Sequence, residues 1–239
     1  ILDDLGRHVG TVFAQAVSQG ENGEGTPNNS TYVQDAIIAS NATKACTITL
    51  GAGAVLRNYG GMSAVRVTNR AVLKMEAGSA MEDTTVKDRT KGSAEGEVGP
   101  AGAVWTQGGT LLMEAGAEIR SMVGRAIYAD GGSITIGGKI HKITGDADMW
   151  QGDLIRKTLP GVALHLRNGA VGSIKDNAVI SDLEGDGSAI AVIGCNLNVE
   201  KNTVIKNLQD MTGIADSSGG IVYFDGEITG MQGSKNALN

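Results

Sequence analysis

Large aromatic side chains are nearly missing from this chain, which has two Trp, two Phe and four Tyr in 239 residues. A compact globule of that length buries more rings, so the core has to come from aliphatic side chains stacked in layers. Proline is scarce too, at three residues. No apolar run reaches the length of a membrane-spanning helix. No basic stretch leads into an apolar one, so no signal peptide is read. The first residue is Ile1 and not Met, which we read as the mark of a processed protein or an excised piece of a longer one. Positive charge is thin: 20 Lys and Arg face 26 Asp and Glu, and no basic run exceeds Arg156-Lys157. That balance argues against a nucleic-acid partner, whose phosphates call for clustered cations. Two cysteines do not set a redox compartment. What is abundant is glycine, with 36 residues.

The glycines punctuate a repeat. Leu50 to Leu56, Met75 to Met81 and Met113 to Ile119 match one another, and Ile174 to Ile180 and Val199 to Ile205 keep the same apolar pair at the same separation. A second piece recurs upstream as Ala64-Val65-Arg66-Val67, Ala103-Val104-Trp105-Thr106, Ala126-Ile127-Tyr128-Ala129, Ala163-Leu164-His165-Leu166 and Ala189-Ile190-Ala191-Val192. Gly220-Ile221-Val222-Tyr223 reads as a sixth copy. Each repeat is therefore three short alternating strands separated by Gly or Asx turns. The spacing is irregular, and nearly all the extra residues fall after the third strand. Solenoids accept insertions at one corner in this way. About seven repeats fit, which predicts an all-β fold, a parallel β-helix.

Alternation assigns faces. Val65, Val104, Ile127, Leu164, Ile190 and Ile221 are expected to stack inward as one ladder. Ile48, Leu73, Leu111, Ile134 and Leu197 form a second, and Leu56, Met81, Ile119, Ile140, Ile180 and Ile205 a third. Cys46 and Cys195 share a repeat position with Ala71, Gly109, Gly132 and Ala170, a column that needs small side chains. Five repeats at about 4.8 Å each separate the two thiols by about 24 Å, far beyond disulfide reach. Free thiols are expected.

At the N-terminal end, Thr31-Tyr32-Val33-Gln34 has capping-box spacing, and Val33, Ile37 and Ile38 give the next residues a helical apolar face. A short helix over 31–40 is predicted to cap the solenoid, with a weaker helical pattern in Leu5, Val9, Val12, Phe13, Ala16 and Val17 and a loop over 18–30. This divides the chain into an N-terminal segment with its capping helix, 1–45, and the β-helix, 46–239. No comparable cap follows Gly226, so the rod is expected to continue in a larger protein.

The Gly-Xaa-Ala-Val/Ile openings (Gly102-Ala103-Val104, Gly124-Arg125-Ala126-Ile127) lead into Gly-Gly-Thr/Ser-Leu/Ile (Gly108 to Leu111, Gly131 to Ile134). Together they resemble the repeats of large bacterial surface β-helix proteins of the adhesin type. Gln34-Asp35-Ala36-Ile37 leading to Thr47-Ile48-Thr49-Leu50 is similar to the entry of pectate-lyase-like β-helices. The resemblance covers about residues 31–230. It implies right-handed coiling, secretion or cell-surface location, and contact with carbohydrate or a host surface. Such folds host adhesins, lyases, hydrolases and tailspikes alike.

Chemistry is expected on the outward face of the first strands. One column reads Arg66, Trp105, Tyr128, His165, Ala191 and Val222; the next reads Thr68, Gln107, Asp130, Arg167 and Ile193. The insertions 83–102 and 144–161 emerge just before this strand, and Trp150 lies in the second. Arg66, Trp105, Gln107, Tyr128, Asp130, His165, Arg167 and Trp150 are thus the candidate ligand-binding residues: aromatic faces stack on sugar rings and polar groups fix their hydroxyls. The alternative is that aromatic residues suit any such strand and pack beneath loops. Catalytic residues are not assigned, because glycoside hydrolysis needs two carboxylates and the strip offers only Asp130. A lyase would need a base and a charge neutraliser, roles open to Tyr128, His165, Arg66 and Arg167.

Asp146, Asp148 and Asp153 fall short of a calcium-loop pattern, His8 and His141 stand alone, and no metal or cofactor is expected. The leading expectation is a non-enzymatic cell-surface adhesin or cell-wall module touching a glycan or host-surface ligand, with no nucleic acid and no membrane insertion. A polysaccharide-active lyase or hydrolase and a structural spacer stand as alternatives. Binding and catalysis require an open groove over Trp105 and Tyr128, whereas a spacer leaves them covered.

Overall fold

The structure, a computed structural model, describes residues 12–13, 35–41, 46–57, 59–61, 63–86, 102–145, 161–233 and 236–239. Among the described residues there is no helix, and the named strands pair only in parallel. A 14-stranded sheet curls around the core and a 7-stranded sheet faces into it. The architecture is all-β and compatible with a solenoid of the β-helix kind.

Pairing follows the repeat. The second strands, from Thr47–Leu50 through Val72–Met75, Thr110–Met113, Ser133–Ile136, Val171–Ile174 and Asn196–Val199 to Ile221–Phe224, stack in sequence order as the 7-stranded sheet. First and third strands make up the larger sheet. They are joined where Val179–Ile193 and Val204–Ser217 run through both positions without an insertion.

The second and third expected ladders form in register, and the first does so from Val65 through Val104, Ile127 and Leu164 to Ile190. Ile48, Leu73, Leu111 and Ile134 lie side by side, as do Leu56, Met81, Ile119, Ile140, Ile180 and Ile205. Nearly all of these side chains are buried, each fully buried aliphatic contributing about 2 kcal/mol. Between Ile134 and Leu197 the second ladder holds Gly172, and the methyl groups of Leu166 and Leu197 fill the space its side chain would take.

A fourth inward ladder escaped the alternation rule: Thr84, Met122, Ile143, Leu183, Leu208 and Met231 also stack. Each lies three residues after a member of the third ladder, which Ile228 extends beside Ile205. The residue just before the fourth-ladder member (Asp83, Ser121, Lys142, Asp182, Asn207 or Gly230) adopts φ of 52 to 63°. That left-handed residue turns the strand, so positions three apart both face inward.

Two expectations are corrected. Residues 35–41 form a strand, not the second half of a capping helix, and pair with Ser63–Asn69; Ile37 stacks on Val65 while Ile38 points outward, 58% exposed. The period is two because the neighbouring strand supplies a free edge. Val12–Phe13 likewise form a strand, on Val55–Arg57; residues 31–34, the remaining positions of the 5–17 pattern and the 18–30 loop lie outside the described residues. The second correction concerns the sixth copy of the first strand. Ile214, buried beside Ile190, continues the first ladder, and Ile221–Phe224 belongs to the second strands, with Ile221 67% exposed.

Cys46 and Cys195 are free thiols, and their carbonyls accept from Val72 and Ile221 just as those of Ala71, Gly109, Gly132 and Ala170 accept from the following strand. A side chain at Gly132 would run into the Gly109 carbonyl oxygen, and its φ of +82° strains any other residue. Gly132→Ala is therefore expected to cost about 2 kcal/mol in urea unfolding. A loss below about 0.5 kcal/mol would contradict this stacking.

Candidate functional site

Four consecutive first strands place Arg66, Trp105, Tyr128 and His165 in one row, in register, followed by Ala191 and Ala215. Ala215 takes the position foreseen for Val222. Gln107, Asp130 and Arg167 form the neighbouring row. Trp150, both insertions' central parts (87–101 and 146–160) and the Asp146, Asp148 and Asp153 group lie outside the described residues.

The row is densely bonded. The Arg66 guanidinium lies 4.1 Å from the Trp105 ring centre and donates to Gln107 Oε1 at 2.6 Å. Tyr128 and His165 rings sit 5.1 Å apart, tilted by 46°. Arg167 donates to the Tyr128 hydroxyl at 3.1 Å and places its Nε 3.9 Å from Asp130, whose carboxylate also accepts from Asn168.

The Trp105 and Tyr128 rings are covered. Trp105 is 4% exposed and Tyr128 2%, and the pair forms a small apolar cluster separate from the main core. Arg66 covers Trp105, and Arg125 stands 5.2 Å over Tyr128. The backbone at Gly102 presses so near that a side chain there would meet Tyr128 N at 2.8 Å. Arg125, itself 4% exposed, was missed because its parity groups it with inward Ile127. The turn at Gly124, with φ of 98°, breaks that parity. Glycine followed by a long cation before Ala-Ile was the available signal.

Burial sets the electrostatics. It raises the Tyr128 hydroxyl above its ordinary range, with the Arg167 hydrogen bond opposing. It pushes His165 down to about 3, helped by the positive charges of Arg125 and Arg167. His165 is thus a neutral ring, and its buried Nε2, like Trp105 Nε1, has no hydrogen-bond partner among the described residues. Asp130 is the single carboxylate in the described part of the strip. Among the described residues no group of three or more His, Cys, Asp and Glu side chains is placed to hold a metal.

Comparison with protein-family models, with curated proteins and with solved structures gives no match. The geometry therefore has to carry the functional reading by itself.

His165 yields a pH prediction. Its folded pKa lies below the value of about 6.5 in the unfolded chain, so its contribution to stability is complete above that value and is lost as pH falls toward 3. Between pH 7 and pH 5 the wild type should lose about 2 kcal/mol more than His165→Gln in urea unfolding. Equal losses in the two proteins would show that the ring is not held neutral.

Proposed function

We propose that this chain is a right-handed parallel β-helix of about seven three-strand coils from a secreted or cell-surface bacterial protein. Its role is that of a non-enzymatic adhesin-type or cell-wall module, serving as a rigid spacer. The in-register stacking and the resemblance of the Gly-Xaa-Ala and Gly-Gly repeats to surface β-helix proteins support the fold and setting. The observation that carries the role is the burial of the Trp105–Tyr128 pair. A glycan-stacking platform has to offer its ring faces to solvent, whereas Arg66 lies over the Trp105 ring and Arg125 over the Tyr128 ring.

A second reading, glycan binding along this first-strand face, is favoured by one observation. Trp105 Nε1 and His165 Nε2 are buried polar atoms without partners among the described residues, a costly condition that a ligand hydroxyl or water would relieve. The enzymatic reading gains less, since Asp130 is engaged by Arg167 and Asn168 and His165 stays neutral.

A glycan array and a reducing-end release assay on the wild type beside Gln107→Ala/Arg167→Ala test this. Both side chains are exposed, so the variant should fold. The spacer reading predicts no turnover and the same array profile for both proteins. A glycan held by the wild type and lost by the variant would replace it with the second reading, and turnover would replace it with an enzyme.

A further inference from the structure

On a different face, after the left-handed bend of the third strands, lies a polar trough of about 260 Å³. Its polar lining is Thr144, Asp182, Glu184, Asn207, Gln209 and Gln232. Thr144, Glu184, Gln209 and Gln232 stand in one in-register row across four successive repeats. Asp182 and Asn207 stand beside it in the bend column. One end is fixed where Gly145 N donates to Glu184 O at 3.0 Å and the ladder shifts register between Glu184 and Gly187.

We propose that this trough binds a short stretch of neutral polysaccharide lying along the stacking direction. The lining mixes carboxylates, carboxamides and a hydroxyl, groups that pair with both the donor and acceptor sides of sugar hydroxyls. None of the lining side chains is a cation, while two are carboxylates and the whole chain carries −6. An acidic glycan is therefore repelled and an uncharged one is not. The row repeats about every 4.8 Å, close to the advance per sugar in an extended β-linked chain, so successive sugars meet successive side chains.

The site is also pre-formed. Asn207 donates to Asp182 Oδ1 at 2.8 Å and Ser181 donates to Oδ2 at 2.8 Å, which fixes the carboxylate and holds it below its ordinary pKa. The backbone beneath is tied into the parallel ladder on both sides. No aromatic platform lines the trough, so the affinity rests on hydrogen bonds and is weak. The trough stands apart from the Trp105–Tyr128 face and owes nothing to it.

The test is a titration of ¹⁵N-labelled protein with cellohexaose, the N-acetylglucosamine hexamer and mannohexaose, with a galacturonate hexamer as the acidic control. At least one neutral hexamer should shift the amides of 182–184, 207–209 and 232. Glu184→Ala/Gln209→Ala, both at exposed positions, should weaken that binding about tenfold or more. Gln107→Ala/Arg167→Ala should leave it unchanged. The proposal fails if no neutral hexamer shifts these amides up to its solubility limit. Shifts that map elsewhere, or a galacturonate hexamer that binds equally well, would overturn it as firmly.

Discussion

Everything in this molecule hangs on stacking like on like across parallel strands. Each residue meets its own counterpart one repeat away, as Leu111 meets Leu73 on one side and Ile134 on the other. An apolar ladder in such a stack stays dry along its whole length, which is how a chain with so few aromatic rings builds a continuous core. The same rule fixes the corners. Small residues recur where Gly132 sits against the Gly109 carbonyl, and left-handed residues recur where the third strand bends. The partly buried members of the core, Ile37, Cys46 and Ile48 together with Val222, Phe224, Ile228 and Met231, belong to the first and last described repeats, where a ladder lacks one neighbour.

Stacking has an electrostatic consequence that this chain handles by alternation. In-register parallel strands set like charges directly opposite one another unless the sequence varies along the column. Here Glu82, 8% exposed, lies between Arg57 at 2.8 Å and Arg120 at 2.5 Å, and Arg120 also pairs with Glu118. On another face Lys74 bridges Glu76 and Glu114, both at 3.0 Å. The exposed Lys74 bridges are worth little to stability. Their arrangement does avoid the repulsion that a strict repeat would create. The Arg66–Trp105–Tyr128–His165 row is the aromatic counterpart, with cations covering rings in place of carboxylates.

The ladders were legible in the sequence because an inward position repeats its chemistry in every layer. Register was legible for the same reason, down to the small-residue column of Cys46 and Cys195. Gly220-Ile221-Val222-Tyr223 has the Gly-then-alternation form that both strand types share, so its sequence does not separate a sixth first strand from the second strand it forms. The true copy at Ile214 lies inside the unbroken strand Val204–Ser217, without a turn to mark it. Val33, Ile37 and Ile38 satisfy a helical stripe when no neighbour is considered, and pairing with Ser63–Asn69 is what makes 35–41 a strand. The Ile119–Met122 and Ile140–Ile143 step of three was present throughout and signals a bend that strict alternation cannot describe. Exposure of the candidate strip was beyond the sequence. Arg66 and Arg125 lie over the Trp105 and Tyr128 rings, and their approach is set by tertiary packing and not by strand parity.

Outward residues of the second strands advance one layer per repeat: Thr49, Lys74, Leu112, Thr135, Ser173, Asn198, Tyr223. Spin labels at Thr49 and Ser173, and at Thr49 and Tyr223, on a chain with Cys46 and Cys195 replaced by alanine, test it most directly by pulsed dipolar spectroscopy. Four and six layers predict backbone separations of about 19 Å and about 29 Å, each narrowly distributed. Two equal distances, or a shorter one for the pair ending at Tyr223, would contradict the stack.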